Sequence, residues 1–377
     1  MKKFLKNDAV QSLIASLLCI LMGLLIGYIV LLFINSAGAG NAILDVLKNF
    51  MKTSNPERRV RLLGATLVRT APLLMCGLSV LFAYKVGLFN IGTAGQYVAG
   101  VCASLYAALA WGWGWLPCML FAIVSGAVLG AIVGFLKAYR NVNEVISGIM
   151  LNWIALYTSN MILTLQKQEA SHYTLKLKEN APQAILPSLG LDKLFNYDKV
   201  SIAIPLAILL AVAVYIVLNR TKFGYELRAT GNNKNAAKYA GMAEKRNIIL
   251  TLIISGGLAG IGGAMLYLTD IEQWSVTATS VPGMGFNGIA ATFLGGLNPI
   301  GTIFSSFFIQ HITDGGPNVD TNLYCAQISD LITAIIIYLC GFVLFLKTAI
   351  NKGLLKSEEK QAQKEKKLAA ETKGGEK

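Results

Sequence analysis

The stretch VQSLIASLLCILMGLLIGYIVLLFI, residues 10–34, decides the fold class of this chain. It contains no Lys, Arg, Asp or Glu, and about 20 apolar residues in a helix are enough to cross the hydrocarbon core of a bilayer. Further uncharged stretches follow, and only 14% of the 377 residues are charged, whereas ordinary soluble domains carry about a quarter. The sequence therefore predicts an all-α polytopic membrane protein.

The N-terminal segment has two interpretations. Basic Lys2 and Lys3, an apolar run and the small residues Ala37-Gly38-Ala39 are the order found in a cleaved signal peptide. The apolar run, however, is about twice as long as the corresponding region of such peptides. We therefore expect an uncleaved first span and keep cleavage as the alternative.

The formal net charge of +13 arises from basic residues at the ends of apolar segments and in a C-terminal tail. This placement is what membrane orientation requires, and it differs from the basic patch of a nucleic-acid-binding domain. The six cysteines are scattered without C-x-x-C spacing, so we expect neither a disulfide framework nor a zinc site.

The apolar segments outline the domain organisation. They lie near residues 11–34, 62–83, 88–110, 115–136, 144–165, 200–218, 247–268, 286–311 and 325–346. We expect residues 1–346 to form one transmembrane domain. The tail at 347–377 is rich in Lys and Glu and is expected to be disordered in the cytoplasm.

Short basic stretches set the expected orientation in a bacterial cell membrane. The basic N-terminus and the basic loop 219–246 are expected in the cytoplasm. The long loop 166–199 and three connections without Lys or Arg are expected on the extracytoplasmic side; these connections are 111–114, 269–285 and 312–324. The connection 35–61 also falls outside, although its five basic residues conflict with the rule.

The eighth apolar segment contains a strong helix breaker, Gly295-Gly296-Leu297-Asn298-Pro299. Both connections that flank this segment are expected outside, so a single crossing does not fit. Two half-helices that enter and return from the outer side resolve the conflict, and a broken helix at membrane depth indicates a protein-lined or water-filled cavity. The expected architecture is therefore about eight full spans plus one re-entrant helix pair, with both termini cytoplasmic.

The cytoplasmic loop 219–246 contains a second feature that a simple connector does not need. Gly231 and the asparagines after it suit a turn and a helix N-cap, residues 236–240 favour a helix, and Gly241 suits a C-cap. A short, capped helix outside the bilayer could dock into a cleft on a soluble partner. The alternative is a basic connector that rests on anionic lipid.

Two similar glycine-rich turns predict a transport path. Gly87–Gly92 and Gly283–Gly288 each contain a Phe-Asn step, and interrupted segments at corresponding places in two halves are typical of such paths. Ordinary helix capping is the alternative explanation. The residues that we expect to line the path are Phe89, Asn90, Gln96, Phe286, Asn287 and Asn298.

Glycines spaced four apart, at 126, 130 and 134 and again at 256 and 260, favour close packing between membrane helices. Catalytic motifs are missing from the sequence. It has no G-x-x-x-x-G-K-[ST] for ATP, no H-E-x-x-H for zinc and only two histidines. We therefore expect no cofactor and no catalysis, which argues against a membrane enzyme.

Carboxylates are scarce within the apolar segments, where proton-coupled carriers usually carry them. This scarcity indicates an external energy source. An ion-coupled secondary carrier of a small polar solute remains the alternative.

The chain resembles a known family over residues 61–347. The landmarks are Gly87–Gln96, Asn143–Asn152, Arg228–Gly241 and Gly285–Gly301. They are similar to those of permease subunits of ATP-binding-cassette importers for ribose, galactose, branched-chain amino acids and nucleosides. The similarity is greatest to the branch that works with nucleoside-binding lipoproteins of the basic-membrane-protein type. Ala94 departs from the family, which often has Glu at this position.

The resemblance implies three protein partners: a cytoplasmic ATPase, a second permease subunit and an extracytoplasmic substrate-binding lipoprotein. It implies a nucleoside or a simple sugar as substrate, moved by alternating access. It also makes the 231–241 helix the coupling helix that is seated on the ATPase. The residues expected to form this contact are Gly231, Asn232, Asn235, Ala236, Ala237, Tyr239 and Gly241.

Overall fold

The computed structural model describes residues 8–320, 322–325, 327–343 and 345–352. This part of the chain is helical, and its β-structure consists of two isolated bridges. The helices are α1 Asp8–Ile34, α2 Ala39–Lys48, α3 Pro56–Lys85, α4 Thr93–Trp111, α5 Trp115–Arg140, α6 Glu144–Leu163, α7 Leu177–Asn180, α8 Leu191–Phe195, α9 Ala203–Arg220, α10 Lys222–Asn232, α11 Lys234–Tyr239, α12 Glu244–Tyr267, α13 Gly283–Leu294, α14 Pro299–Gly315 and α15 Ile328–Cys340.

Six helices in the described residues are long and apolar enough to cross a membrane by length and composition: α1, α3, α5, α6, α9 and α12. The prediction of a helical protein with several membrane spans is confirmed. The predicted count of about eight spans is reached only if α4 and α15 also cross the membrane, and it stays a prediction. The basic start at Lys2, Lys3 and Lys6 and most of the tail, 353–377, lie outside the described residues, whereas residues 347–352 are helical.

The long helices divide into an inner and an outer set. The most apolar window of α3 is 83% buried and that of α12 is 72% buried, whereas the windows of α1, α5, α6 and α9 are 22–33% buried. Most residues of α4 are buried as well. Helices α3, α4 and α12 therefore form the core, and the outer helices present apolar side chains, as a bilayer requires.

The glycine spacing predicted a close helix contact, and α5 and α12 make it. A Cβ added at Gly126 would lie 2.9 Å from the Cα of Gly260, and one added at Gly260 would lie 3.2 Å from the Cα of Gly126. At these positions the two backbones touch without intervening side chains. In lipid, where no hydrophobic effect drives helices together, such close packing supplies the attraction.

The predicted helix breaker separates α13 from α14. Gly296 and Leu297 have left-handed backbones with φ of 65° and 56°, and the Oδ1 of Asn298 accepts a hydrogen bond from the N–H of Ile300 at 2.9 Å, which caps α14. Pro299 occupies the first turn, where a missing N–H costs nothing. The break is therefore built from two helix ends whose polar groups are partly satisfied by the chain itself.

The α13–α14 pair begins and ends on the same side of the bundle. The guanidinium of Arg69 lies 3.6 Å from Glu272, in the connection before α13, and 3.6 Å from Asp314, near the end of α14. One side chain on α3 thus reaches both ends of the pair. This is the arrangement that a re-entrant pair requires.

The connections expected outside lie together on one face, hereafter the Arg69 face. Gln183 donates to the carbonyl of Gly112 at 3.2 Å, and the N–H of Thr174 donates to the carbonyl of Trp274 at 2.9 Å. The connection 35–61, which contains α2, joins the same face through Lys52, which donates to the carbonyl of Asn318.

The connections expected inside lie together at the opposite end of the helices. Lys137 forms an ion pair of 2.7 Å with Glu144, and the ammonium of Lys245 lies 4.8 Å from the ring centroid of Tyr139. The loop between α9 and α12 therefore packs beside the α5–α6 connection, as the charge pattern predicts.

Replacing Gly260 by Ala tests the α5–α12 contact. The added methyl group would collide with the backbone of α5, and overpacking of this kind costs about 1–3 kcal/mol. We expect a lower melting temperature of the detergent-solubilised protein, followed by tryptophan fluorescence. Gly40→Ala, where a Cβ meets nothing within 4 Å, is the matched control. Equal melting temperatures for the two variants would contradict the assignment.

Candidate functional site

The connection 86–92 carries a cluster of polar contacts in the interior. The amide nitrogen of Asn90 donates to the Oε1 of Gln96 at 2.7 Å and to the hydroxyl of Ser255 at 2.6 Å. Asn90 is 2% exposed and Gln96 is 1% exposed. Because Ser255 lies on α12 and Gln96 on α4, one asparagine connects two core helices.

Asn152 ties α6 to the same connection. Its side-chain nitrogen donates to the carbonyl of Ile91 at 3.1 Å, and its oxygen accepts from the N–H of Gly95 at 2.7 Å. The sequence reasoning did not select Asn152, although it is the last residue of one landmark. An amide in the middle of an apolar span was the signal that could have identified it.

The six predicted path residues do not converge on one surface. Asn90 and Gln96 are bonded to each other in the interior, and the exposed Asn298 caps α14. Phe286 is 40% exposed on α13, and Phe89 and Asn287 are half-buried.

Residues 222–241, hereafter the coupling segment after the role that the resemblance implies, form two helices, α10 and α11, rather than the single short helix that the sequence predicts. Asn233 caps α11, because its Oδ1 accepts from the N–H of Ala236 at 3.0 Å. The other end closes at Gly241, whose φ is 78°. There the N–H of Gly241 donates to Lys238 and that of Met242 to Ala237, each at 3.0 Å, which is a Schellman motif.

The prediction that Gly231 is a turn residue is wrong. Gly231 lies within α10, a helix that the sequence reasoning missed and that Thr221 caps by accepting from the N–H of Gly224 at 3.0 Å. Glycine is a poor helix former. Here a tertiary contact overrides that preference, because the backbone of Gly231 lies directly against Val86 and Gly87.

The remaining coupling residues have unequal exposure. Ala237 is 3% exposed and holds α11 against the rest of the protein, whereas Tyr239 is 94% exposed. The other exposed members are Asn232, Asn235, Ala236 and Gly241. The segment thus has one anchored side and one side on which an aromatic ring is exposed.

A basic cleft of about 580 Å³ lies on the Arg69 face, where two arginines outweigh the one carboxylate of the lining, Glu57. Arg58, Arg61 and Tyr197 are among the residues that line it, and the guanidinium of Arg61 lies 5.6 Å from the ring centroid of Tyr197. Partial burial raises the pKa of Tyr197 above its ordinary value, although Arg69 and Arg61 oppose this shift. The phenol therefore keeps its proton and can donate a hydrogen bond within the cleft.

Metal-binding clusters are not found in the described residues: no group of three or more His, Cys, Asp or Glu side chains there could hold a metal ion. Many interior polar groups of this part of the chain bond to each other, whereas its side-chain oxygens Asn247 Oδ1, Ser306 Oγ and Asp314 Oδ2 are buried without a hydrogen-bond partner.

Asn90→Ala tests the interior polar cluster. Removing the Asn90 amide leaves that of Gln96 buried without its partner, which costs about 1–3 kcal/mol. We expect unfolding at a lower SDS fraction in a mixed-micelle titration. Asn41→Ala, at an exposed position on α2, should unfold as the wild type does. An unchanged SDS midpoint for Asn90→Ala would show that the cluster does not stabilise the fold.

Known proteins resemble the chain over most of its length. Residues 62–341 match the family described as "Branched-chain amino acid transport system / permease component". The guanosine ABC transporter permease protein NupP of Bacillus subtilis is 35% identical over 279 residues, 73% of this chain and 79% of that relative. The nucleoside ABC transporter permease protein NupB of Lactococcus lactis is 30% identical over 357 residues, 92% of this chain and 95% of that relative.

A third relative is the glucose ABC transporter permease protein of Haloferax volcanii, 29% identical over 73% of this chain and 74% of its own length. No solved structure matches the chain. The family match covers well over half of the sequence and contains the interior polar cluster, the segment 222–241 and the α13–α14 pair. The chain therefore belongs to the family of branched-chain amino acid transport system permease components, and it is a membrane transport subunit rather than an enzyme.

Proposed function

We propose that this chain is a permease subunit of an ATP-driven nucleoside importer in a bacterial cell membrane. Two of the relatives above are named as guanosine and nucleoside permeases, and this supports a nucleoside rather than a sugar as substrate. The glucose permease relative makes a simple sugar the second candidate. ATP is hydrolysed by a partner, because the sequence has no P-loop motif.

The observation that carries the ATP-driven mechanism is the geometry of α11. A helix of one or two turns, capped at both ends, holds Tyr239 almost fully exposed beyond the bundle. Aromatic side chains are the commonest anchors at protein interfaces. In the proposal Tyr239 inserts into a cleft on the cytoplasmic ATPase, and Ala237 transmits the resulting force to the permease.

The transport path runs along α13 in this proposal. Phe286 and Asn287 pair an aromatic face with an amide, the combination that suits a nucleobase. Phe89 and Asn298 border the same path. Asn90 and Gln96, which bond to each other in the interior, support the wall behind it. A second, related permease subunit completes the path, and alternating access exposes it first to one side and then to the other.

The loaded substrate-binding lipoprotein docks on the Arg69 face in this proposal, where the connections 269–285 and 312–324 lie. The basic cleft of Arg58 and Arg61 offers an electrostatic contact for acidic side chains of the lipoprotein. It also gives a reason for the basic residues that the connection 35–61 carries against the orientation rule. Opposite charges of this kind accelerate association and fix its orientation.

Reconstitution tests the proposed function. In proteoliposomes that contain this chain, its ATPase and the second permease, we expect uptake of labelled guanosine to require both ATP, on the ATPase side of the bilayer, and the lipoprotein, on the other side.

Tyr239→Ala should weaken ATPase binding by about 2 kcal/mol, roughly thirtyfold. Tyr157→Ala, an exposed tyrosine on the bilayer-facing α6, should leave binding unchanged.

Two outcomes would contradict the proposal. Uptake that continues without ATP and stops when an ion gradient collapses would favour the secondary carrier. If excess glucose abolishes the uptake of guanosine and glucose itself is transported, the substrate assignment changes from a nucleoside to a sugar. The assignment as an ATP-driven importer is unaffected by this second outcome.

Reversing the charge of the basic cleft tests the docking surface. For Arg58→Glu with Arg61→Glu, we expect the affinity for the lipoprotein to fall at least about tenfold at low salt and less at high salt, because screening weakens surface charges. Affinity can be measured by surface plasmon resonance on nanodiscs. The control Lys178→Glu reverses an exposed charge on the same face, 3.9 Å from Asp198. An equal loss of affinity in the double variant and in the Lys178→Glu control would show that the cleft is not part of the interface.

A further inference from the structure

The coupling segment meets the transmembrane core at two glycines. A Cβ added at Gly231 would lie 2.6 Å from the carbonyl oxygen of Val86 and 2.9 Å from the nitrogen of Gly87. A Cβ added at Gly87 would lie 2.9 Å from the carbonyl oxygen of Gly231. At this point α10 and the end of α3 therefore touch backbone to backbone, with no side chain between them.

Gly87 is fixed by the way α3 ends. Its φ is 73°, a left-handed conformation that favours glycine. The N–H of Gly87 donates to Tyr84 and that of Leu88 donates to Ala83, each at 3.0 Å, and these bonds close the helix. Gly87, which α10 contacts together with Val86, is thus held rigidly to the end of α3.

On the other side, α10 is held by α12. The side-chain nitrogen of Asn247 donates to the hydroxyl of Thr230 at 2.9 Å, and both residues are buried. The last turn of α10 lies between this bond and the contact with Gly87. Because Asn233 alone separates α10 from α11, a movement of α11 has a short route to the last turn of α10.

The 86–92 connection is linked in turn to the core helices and to α6 by hydrogen bonds. Asn90 bonds to Gln96 on α4 and to Ser255 on α12, and the carbonyl of Ile91 accepts from Asn152 on α6. The route continues toward the proposed path, because a Cβ added at Gly285 on α13 would lie 2.7 Å from the Cβ of Ala94 on α4.

We propose that the contact between Gly231 and Gly87 is the joint through which the coupling segment moves the 86–92 connection and, through Asn90 and Asn152, the helices that border the path. This inference rests on the proposed function and adds a transmission residue to it. Two glycine backbones in contact transmit a push directly, since no flexible side chain lies between them to absorb it. Gly231 and Gly87 act as positioning residues and do not touch the substrate.

Gly231→Ala in the reconstituted complex tests the joint. The methyl group would hold α10 away from Val86 and displace the coupling segment from its seat. Bound ATPase and basal ATP hydrolysis are measured on the same preparation, and stimulated hydrolysis is expressed per bound ATPase. Stimulation of hydrolysis by the loaded lipoprotein, and uptake per ATP hydrolysed, should fall by about tenfold, within the range that coupling mutations produce. Gly40→Ala on α2, where a Cβ meets nothing within 4 Å, is the matched control.

The ratio of stimulated to basal hydrolysis separates transmission from simple packing. Stimulation of hydrolysis and uptake within twofold of the wild type in Gly231→Ala would contradict the proposed joint. Loss of ATPase binding together with basal activity would also overturn it, because Gly231 would then only support the shape of the docking surface. Failure of the proposed function is recognised separately, in the wild-type complex, as uptake that does not require ATP.

Discussion

Backbone polar groups inside a bilayer have no water to bond with, so an interrupted helix needs other partners for them. In the described part of the chain, two interruptions beside the core, at 86–92 and at 295–298, meet that constraint. At the first interruption, the carbonyl of Ile91 accepts from Asn152, while Asn90 bonds to Gln96 and Ser255. At the second, Asn298 caps the helix that follows. In each case asparagine supplies the bond that the broken helix loses.

The hydrogen bonds that satisfy the polar groups at these interruptions also make the interruptions rigid. A polar cluster in a low-dielectric interior is costly when one member lacks a partner, so its members hold each other in a single arrangement. Asn90 and Gln96 therefore act as structural links between helices. The most polar residues of the interior need not face the transported solute. In our proposal the side chains accessible at the path are those of α13, such as the exposed Phe286.

Close backbone contacts between glycines bring separate elements together at two places. Gly126 and Gly260 bring α5 and α12 together within the bundle, and Gly231 and Gly87 bring the coupling segment against α3. The first contact lies within the transmembrane bundle and stabilises the relative position of two spans. The second lies at the end of the helices, where one partner belongs to an exposed segment. The same residue type thus serves a static interface in one place and, in our proposal, a moving joint in the other.

The sequence by itself determined the helical membrane class, the break at residues 295–299 and the caps of α11, since these depend on local hydrophobicity and turn chemistry. It also indicated which connections lie together, because charge is distributed by side of the membrane. Tertiary structure alone decided that Gly231 lies within a helix, that Asn90 and Gln96 bond to each other, and that Asn152 joins them. These features depend on contacts between residues as far apart as Gly87 and Gly231. The spacing of residues along one chain carries no record of such distant contacts, because they form only when separate helices pack together.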